Sequence, residues 1–537
     1  MKWRALIVLS AAQFLMVLDQ AVMNVSISQL VEDFDTTVTV IQGVITFYAL
    51  TMAALMITGG KLGDRFGRRR AFAIGLVIYG AGSALTAVSQ NVPTLLFGWS
   101  ILEGIGAALV LPALVALIAS SYQGADRAIA YGVIGGVAGA GIAVGPILGG
   151  WVTTEFTWRY VFVGEVILAA LILLAVGWIN DTPRQSPPPD IDWVGAVLSA
   201  AGLGLIVYGV LQASAWGWLV DKNSPVTPFG LALTPFVVGA GVVVLLLFVR
   251  WSERREAAGA DPLFRLGLLD VPPLRVGLQM FLAQNLILMG VFFSIPLYLQ
   301  VVQGLDALDT GLRMLPVSVT MFVTSFVGAR LSEKWTPRAI IRAGLWVLLG
   351  AVLLLMSTIE PQLEGFAFGM AMALLGIGMG LLASQLGNVI QSSVGPRDRS
   401  EAGGLQYTAQ QLGSAMGTAL IGAIVISALG NTFINQITND ERVDPLVSEE
   451  ISTSLHGSIQ FVPTEDLALA LEDSPLPADQ ADAVIDAYED GQITALRIGL
   501  LVAAAIVAAA LFVARRVPDV PFDQLAREAE ERERAVP

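Results

Sequence analysis

The chain of 537 residues contains no cysteine and one histidine, His456. Without cysteine there can be no disulfide and no thiolate metal site, and a lone histidine cannot build an imidazole cluster. No resident metal and no cofactor is expected. Charge is scarce as well, at 14% of residues against about 25% in soluble domains. A phosphate loop is missing, because Gly59-Gly60-Lys61 has Leu55 where the first glycine would stand. The Lys and Arg residues form no single stripe, which argues against nucleic acid. With no nucleophile–base pair either, an enzyme is not expected.

What the chain has is apolar length. Hydrophobic residues make up 55% of it, arranged in about fourteen runs of roughly 20 residues, each long enough to cross a bilayer as a helix. The fold class read from this is an all-α, polytopic membrane protein. The start, Met1-Lys2-Trp3-Arg4, leads straight into such a run without a small-residue cleavage site, so a retained helix is expected.

Gly60-Lys-Leu-Gly-Asp-Arg-Phe-Gly-Arg-Arg-Arg70 separates two apolar runs, about 42–59 and 71–88. Each of Lys61, Arg65, Arg68, Arg69 and Arg70 would cost about 2.5–3.5 kcal/mol at the bilayer centre. The turn is therefore expected in the cytoplasm, Gly60 and Gly67 allowing a tight backbone and Asp64 capping a helix or pairing with an Arg. Most Lys and Arg then fall on the cytoplasmic side, with Arg159, Lys222, Arg313, Arg442 and Arg497 as exceptions. An even number of spans places both termini in the cytoplasm.

Pro187-Pro188-Pro189 closes a first block of six spans, and a second link from Arg250 to Pro273 precedes the last six. The organisation expected is 1–182, a six-helix bundle; 183–272, linkers and two inserted spans; and 273–537, a second six-helix bundle with a tail from about 515. Arg330-Leu-Ser-Glu-Lys-Trp-Thr-Pro-Arg338 repeats the position of the 60–70 turn, as parallel halves would. The net charge of −14 is concentrated in 429–492, which holds 14 acidic residues and Arg442 as its one basic residue. That segment is expected outside, as a partly helical surface loop between spans at 403–428 and 493–514.

The 60–70 turn, Gly145-Pro146-Ile-Leu-Gly149-Gly150, Leu18-Asp19-Gln-Ala-Val-Met-Asn24 and Trp158-Arg159 together resemble the major facilitator superfamily, specifically its fourteen-helix drug:proton antiporter branch. The resemblance implies two six-helix bundles plus two inserted helices in the cell membrane, working by alternating access. It implies export of a small amphipathic compound, cationic or neutral, in exchange for protons. Gly60, Asp64, Arg65, Gly67 and Arg68 would form the gating loop, and Gly141, Gly145, Pro146 and Gly149 the exporter-signature helix. Partners would be the substrate, protons and lipid, with the protein a monomer. A lipid or siderophore-like exporter, and a non-transporting scaffold or sensor using the acidic segment, are the alternatives.

Three acids lie well inside spans of the first block: Asp19, Glu103 and Glu165. Ser100-Ile-Leu-Glu103-Gly104-Ile-Gly106 departs from the branch's Arg-x-x-Gln-Gly-x-Gly, so a mixed-sign site becomes an all-acidic one. Such a cluster cannot be fully ionised in a low dielectric without a counter-cation, which makes it a candidate for proton or cation coupling. Trp99, one turn from Glu103, offers a cation–π face or else sits at the lipid interface. Amides of the last block, Gln284, Asn285, Gln385, Asn388, Gln406 and Gln410 with Tyr407, are candidates for lining a substrate cavity, or serve as glue between helices.

Overall fold

The computed structural model describes residues 3–122, 124–180, 190–332, 334–395, 398–445, 461–472 and 476–535. His456, Glu333, the Pro187–Pro189 spacer and part of the acidic segment lie outside the described residues. Among the described residues there is no strand. The backbone polar groups of an apolar segment can then be satisfied within each helix, as a bilayer demands.

Among the described residues, thirteen helices are long and apolar enough to cross a membrane. Five of them, together with α5, make up the first half: α1 (Arg4–Val25), α2 (Val38–Phe66), α3 (Arg68–Ala87), α4 (Val92–Ile118), α5 (Gly124–Glu155) and α6 (Arg159–Ala175). The 32-residue α5 is the fourteenth long helix and corresponds to the run at 128–151. Then come α7 (Trp193–Trp216) and α8 (Thr234–Ala257). The second half comprises α9 (Pro272–Leu297), α10 (Ala307–Leu331), α11 (Pro337–Ser357), α12 (Gly365–Ser392), α13 (Arg399–Asn439) and α14 (Ala478–Val513). Side-chain oxygens of Thr37, Asp192, Asp306 and Thr336 accept from the first turns of α2, α7, α10 and α11, satisfying amides that the helix itself leaves free.

Two expectations about helix ends are corrected. The 60–70 stretch is not a loop: α2 continues to Phe66 and α3 starts at Arg68, so Gly67 alone, at φ +103°, makes the break. Gly60 is helical and packs 3.6 Å from Pro112, measured from where its Cβ would be. A left-handed backbone angle of that kind is cheap only for glycine, which explains why the helix can run up to it and stop. At the acidic segment the flanking helices run past the span bounds of 428 and 493 expected from the sequence. Leu429–Asn439 and Ala478–Gln492 prolong α13 and α14, because their facing apolar groups still pack. The Phe433 and Tyr488 rings meet edge to face at 5.6 Å, and Gln492 donates to the Val462 carbonyl at 2.7 Å.

The inserted pair is attached through α7. Val207, Val210 and Leu211 form one apolar cluster with Ala49 and Leu50 of α2 and Ala415 and Ala419 of α13, so α7 backs the seam between the two halves. On the other side α5 packs between α1 and α10. Cβ atoms at Gly141, Gly145 and Gly149 would fall 2.9, 2.3 and 2.8 Å from Val17, Ala21 and Val22 of α1, and one at Gly139 would fall 2.8 Å from Phe322 of α10. Pro146 lies within α5, and its side chain is outside the described residues.

The halves are joined at the end opposite the 60–70 turn. Gln42 of α2 donates to the Thr418 carbonyl of α13 at 2.6 Å. Gln300, just beyond α9, donates to the Val25 carbonyl at 2.7 Å, and the Leu308 amide donates to Thr154 Oγ1 at 3.3 Å. Of the five basic residues that the sequence assigns to that end, four find acceptors: Arg159, Lys222, Arg442 and Arg497.

Candidate functional site

Asp19, Glu103 and Glu165 come from α1, α4 and α6 and converge. One carboxylate oxygen from each lies within 4.8 Å of those of the other two. Their residues are only 1%, 0% and 2% exposed. Three features of the sequence make this possible. The α1 register turns Asp19 toward Trp99 of α4, about 200° around the helix from Ala21, which packs on Gly145 of α5. A π-helical stretch, Leu96–Glu103, widens the start of α4 and carries both Trp99 and Glu103, a distortion often found at functional sites. At Gly82 of α3 a Cβ would lie 2.6 Å from Glu103 Cγ, so only glycine leaves room for that side chain.

Neutral donors hold the carboxylates. Trp99 Nε1 donates to Asp19 Oδ1 at 2.8 Å. The Tyr79 hydroxyl and Ser83 Oγ donate to Glu165 Oε2 at 3.0 and 3.1 Å, and Thr86 Oγ1 donates to Glu103 Oε1 at 3.3 Å. The other oxygens, Asp19 Oδ2, Glu103 Oε2 and Glu165 Oε1, are buried without a hydrogen-bond partner. Tyr48 stacks on Trp99 with ring centroids 4.6 Å apart, and its hydroxyl faces Asp19. Where the resembling branch carries an Arg, Ser100 Oγ donates to the Val44 carbonyl at 2.6 Å. That position ties α4 to α2 and brings no positive charge.

Trp99 is 1% exposed, which excludes the lipid-interface alternative. Its indole edge serves Asp19 and its face is covered by Tyr48. Sequence reasoning missed Tyr48, Tyr79, Ser83 and Thr86. The spacing of Tyr79, Ser83 and Thr86, i, i+4 and i+7, places three hydroxyls on one face of α3, a pattern that could have found them.

The gating-loop residues are ordered by their own contacts. Arg68 Nη2 and Asp64 Oδ1 pair at 2.9 Å across the Gly67 break, and Arg68 Nη1 donates to the Ala116 carbonyl of α4 at 3.3 Å. Lys61 donates to the Pro262 carbonyl in the link between α8 and α9. From the same link, Arg265 pairs with Asp398 and, at 3.3 Å, with Glu401, next to and within α13. Arg65 lies on the last turn of α2.

The amides of the second half divide. Gln284 donates to the Met379 carbonyl of α12 at 3.1 Å, Asn285 to the Phe281 carbonyl of its own helix at 3.0 Å, and Gln385 to the Gly328 carbonyl of α10 at 2.9 Å. Gln284 and Gln385 thus tie neighbouring helices together, and Asn285 bonds within its own. Asn388 is exposed, and Gln406, Tyr407 and Gln410 are half-buried along α13.

Comparison with known proteins gives the class. The family model described as "Major Facilitator Superfamily" matches residues 9–193 and 192–418, and the chain belongs to that family. Its relatives include the probable actinorhodin transporter of Streptomyces coelicolor, 31% identical with 80% of this chain and 73% of that one covered. Another is the puromycin resistance protein pur8 of Streptomyces alboniger, 32% identical over 80% of this chain and 82% of that one. The tetracenomycin C resistance and export protein of Streptomyces glaucescens is 26% identical, with 96% and 92% covered. Among solved structures, an inward-facing bacterial homologue of the human lysosomal transporter Spinster matches with TM-score 0.60 at 17% identity, covering 96% of both chains. The protein is thus an integral membrane secondary transporter of small molecules and not an enzyme.

Proposed function

We propose that the protein exports a small amphipathic compound from the cytoplasm in exchange for protons, with Asp19, Glu103 and Glu165 as the coupling site. One observation carries this reading: three buried carboxylates share a site in which every hydrogen-bond donor is neutral. Three such charges at low dielectric repel one another strongly and lose hydration, so the cluster has to hold protons or a cation. Release of those protons during the cycle links it to a gradient. The export direction is supported by relatives named for antibiotic export or resistance and by the glycine face of α5.

In this reading the Gly67 break lies in the cytoplasm, both termini are cytoplasmic, and the membrane is the cell membrane. The contacts of Gln42, Gln300 and Thr154 then close the outer side, as in an inward-facing or occluded state. The protein works as a monomer. A cavity opening sideways to lipid is disfavoured at the α2–α13 seam, because α7 packs there.

Inverted membrane vesicles containing the protein, energised to an acidic interior, test the proposal with a pH-sensitive dye and a panel of cationic and neutral compounds. The expected result is substrate-dependent proton release that is lost in Asp19→Asn. Gradient-independent accumulation, or none for any compound, would count against it.

A further inference from the structure

The structure assigns a second ligand to the buried acids: one hard divalent cation, of the Ca2+ or Mn2+ class, bound by Asp19, Glu103 and Glu165. With no cysteine and one histidine in the chain, thiolate and imidazole-cluster ligands are not available. The tertiary structure supplies an all-oxygen set instead.

Geometry comes first. Calcium takes oxygen ligands at about 2.3–2.6 Å, so two ligands on opposite sides of one ion are about 4.8 Å apart. One oxygen from each of the three carboxylates falls within that spacing of the others. Each carboxylate also uses only one of its oxygens on the protein and leaves the other buried without a partner. The protein donors behave as the outer partners of a metal site do, fixing each carboxylate in orientation. They are Trp99 for Asp19, Thr86 for Glu103, and Tyr79 with Ser83 for Glu165.

A second, independent feature points the same way. The Tyr48 hydroxyl is buried at 2% exposure and lies close to Asp19 without forming a hydrogen bond of good geometry, while its ring is clamped against Trp99. It is a fourth buried oxygen, beside Asp19. No sulfur or imidazole takes part, which favours hard cations over zinc or copper.

Charge makes the ion compete with protons. Groups facing the cluster are Tyr48 from α2, Tyr79 from α3 and the acids themselves from α1, α4 and α6. A dication neutralises two of three carboxylates, as two protons do. The site should therefore bind metal at alkaline pH and release it on acidification. This inference does not depend on the cluster coupling transport to protons.

The test uses purified full-length protein in detergent after chelator treatment, titrated with Mn2+ and followed by the electron paramagnetic resonance of the free ion. One saturable Mn2+ per chain is expected at pH 8, displaced by Ca2+ and bound at least tenfold more weakly at pH 6. Glu103→Gln and Glu165→Gln should each weaken it at least tenfold, and Tyr48→Phe about threefold. Absence of a saturable wild-type site overturns the proposal. So does a site that survives both glutamate substitutions and disappears when Asp440 and Asp486 of the exposed acidic segment are replaced by Asn. Dye-reported proton release in the presence of chelator examines the coupling reading separately, so each can fail alone.

Discussion

Trp99 and Asp19 are 80 residues apart in sequence, and the indole Nε1 of the first donates to Oδ1 of the second at 2.8 Å. This bond crosses from the π-helical start of α4 to the middle of α1 and holds a carboxylate in place with a neutral group. Trp99→Phe keeps the stack on Tyr48 and removes the donor. A hydrogen bond to a charged group stabilises a fold by about 1.5–3 kcal/mol, so the melting temperature should drop by a few degrees, and initial export rates should fall by at least tenfold because the Asp19 carboxyl is no longer held in place. An unchanged rate would show that the indole only fills space.

Two substitutions in the cluster should separate coupling from binding. Asp19→Asn is expected to abolish uphill export while leaving downhill substrate exchange in proteoliposomes. Glu103→Gln, which takes one carboxyl out of a jointly titrating group, should slow export less and move its pH optimum. Retention of uphill transport and of the pH profile in both variants would make the acids structural.

The Asp64–Arg68 pair spans the one-residue break at Gly67 and continues to the Ala116 carbonyl, so it fixes the angle between α2 and α3 against α4. Asp64→Asn should reduce transport by at least tenfold, with substrate affinity in detergent within about twofold of wild type. A tenfold or larger loss of affinity with normal turnover would assign the pair to binding instead.

Asp33, on the short helix after α1, accepts from Trp158 Nε1 at 2.8 Å and pairs with Arg159 at 2.6 Å. Burial acts to raise its pKa, but the hydrogen bonds from Trp158, Arg159 and Gln29 and the Arg159 charge outweigh it and hold the carboxyl below its ordinary value. A depressed value adds stability above the unfolded pKa of about 3.9, and that contribution is lost as pH falls through the folded value. The partly exposed pair is screened, so about 1 kcal/mol or less is expected. The melting temperature of Asp33→Asn should lie below wild type by a constant margin from pH 6 to 8, and the margin should close below about pH 4. A margin that does not shrink at all as pH falls below the ordinary carboxylate value would show that the ion pair is not its source.

Orientation can be read with single cysteines in a chain that has none. Asn223→Cys lies between α7 and α8, and Ala258→Cys just beyond α8. A membrane-impermeant maleimide applied to whole cells should label the first and not the second. Labelling of both from outside would reverse or break the fourteen-helix topology.

The apolar runs, the basic stretch at 60–70 and the unusual glutamate at 103 were legible in the chain because they depend on local properties: transfer cost into lipid, charge density and residue type. Periodicity gives the number of helices, and it gives the depth of Asp19, Glu103 and Glu165 along each one. It does not give rotation about the helix axis, or the distance between helices. The convergence of the three acids depends on the close approach of α3 to α4 at Gly82, on the Trp99–Asp19 bond from α4 to α1, and on the π-helical widening that presents Trp99 and Glu103. None of these has a signature in hydropathy. The same limit explains the helix ends. Whether α2 stops at Gly60 or Gly67, and whether α13 ends at the membrane or continues to Asn439, depends on what packs against the next turn. That is settled by Pro112 and Ala116 in one case and by Tyr488 in the other, side chains distant in the sequence. Composition thus determined that the chain crosses a membrane many times, and long-range packing decided which of its few charged groups meet.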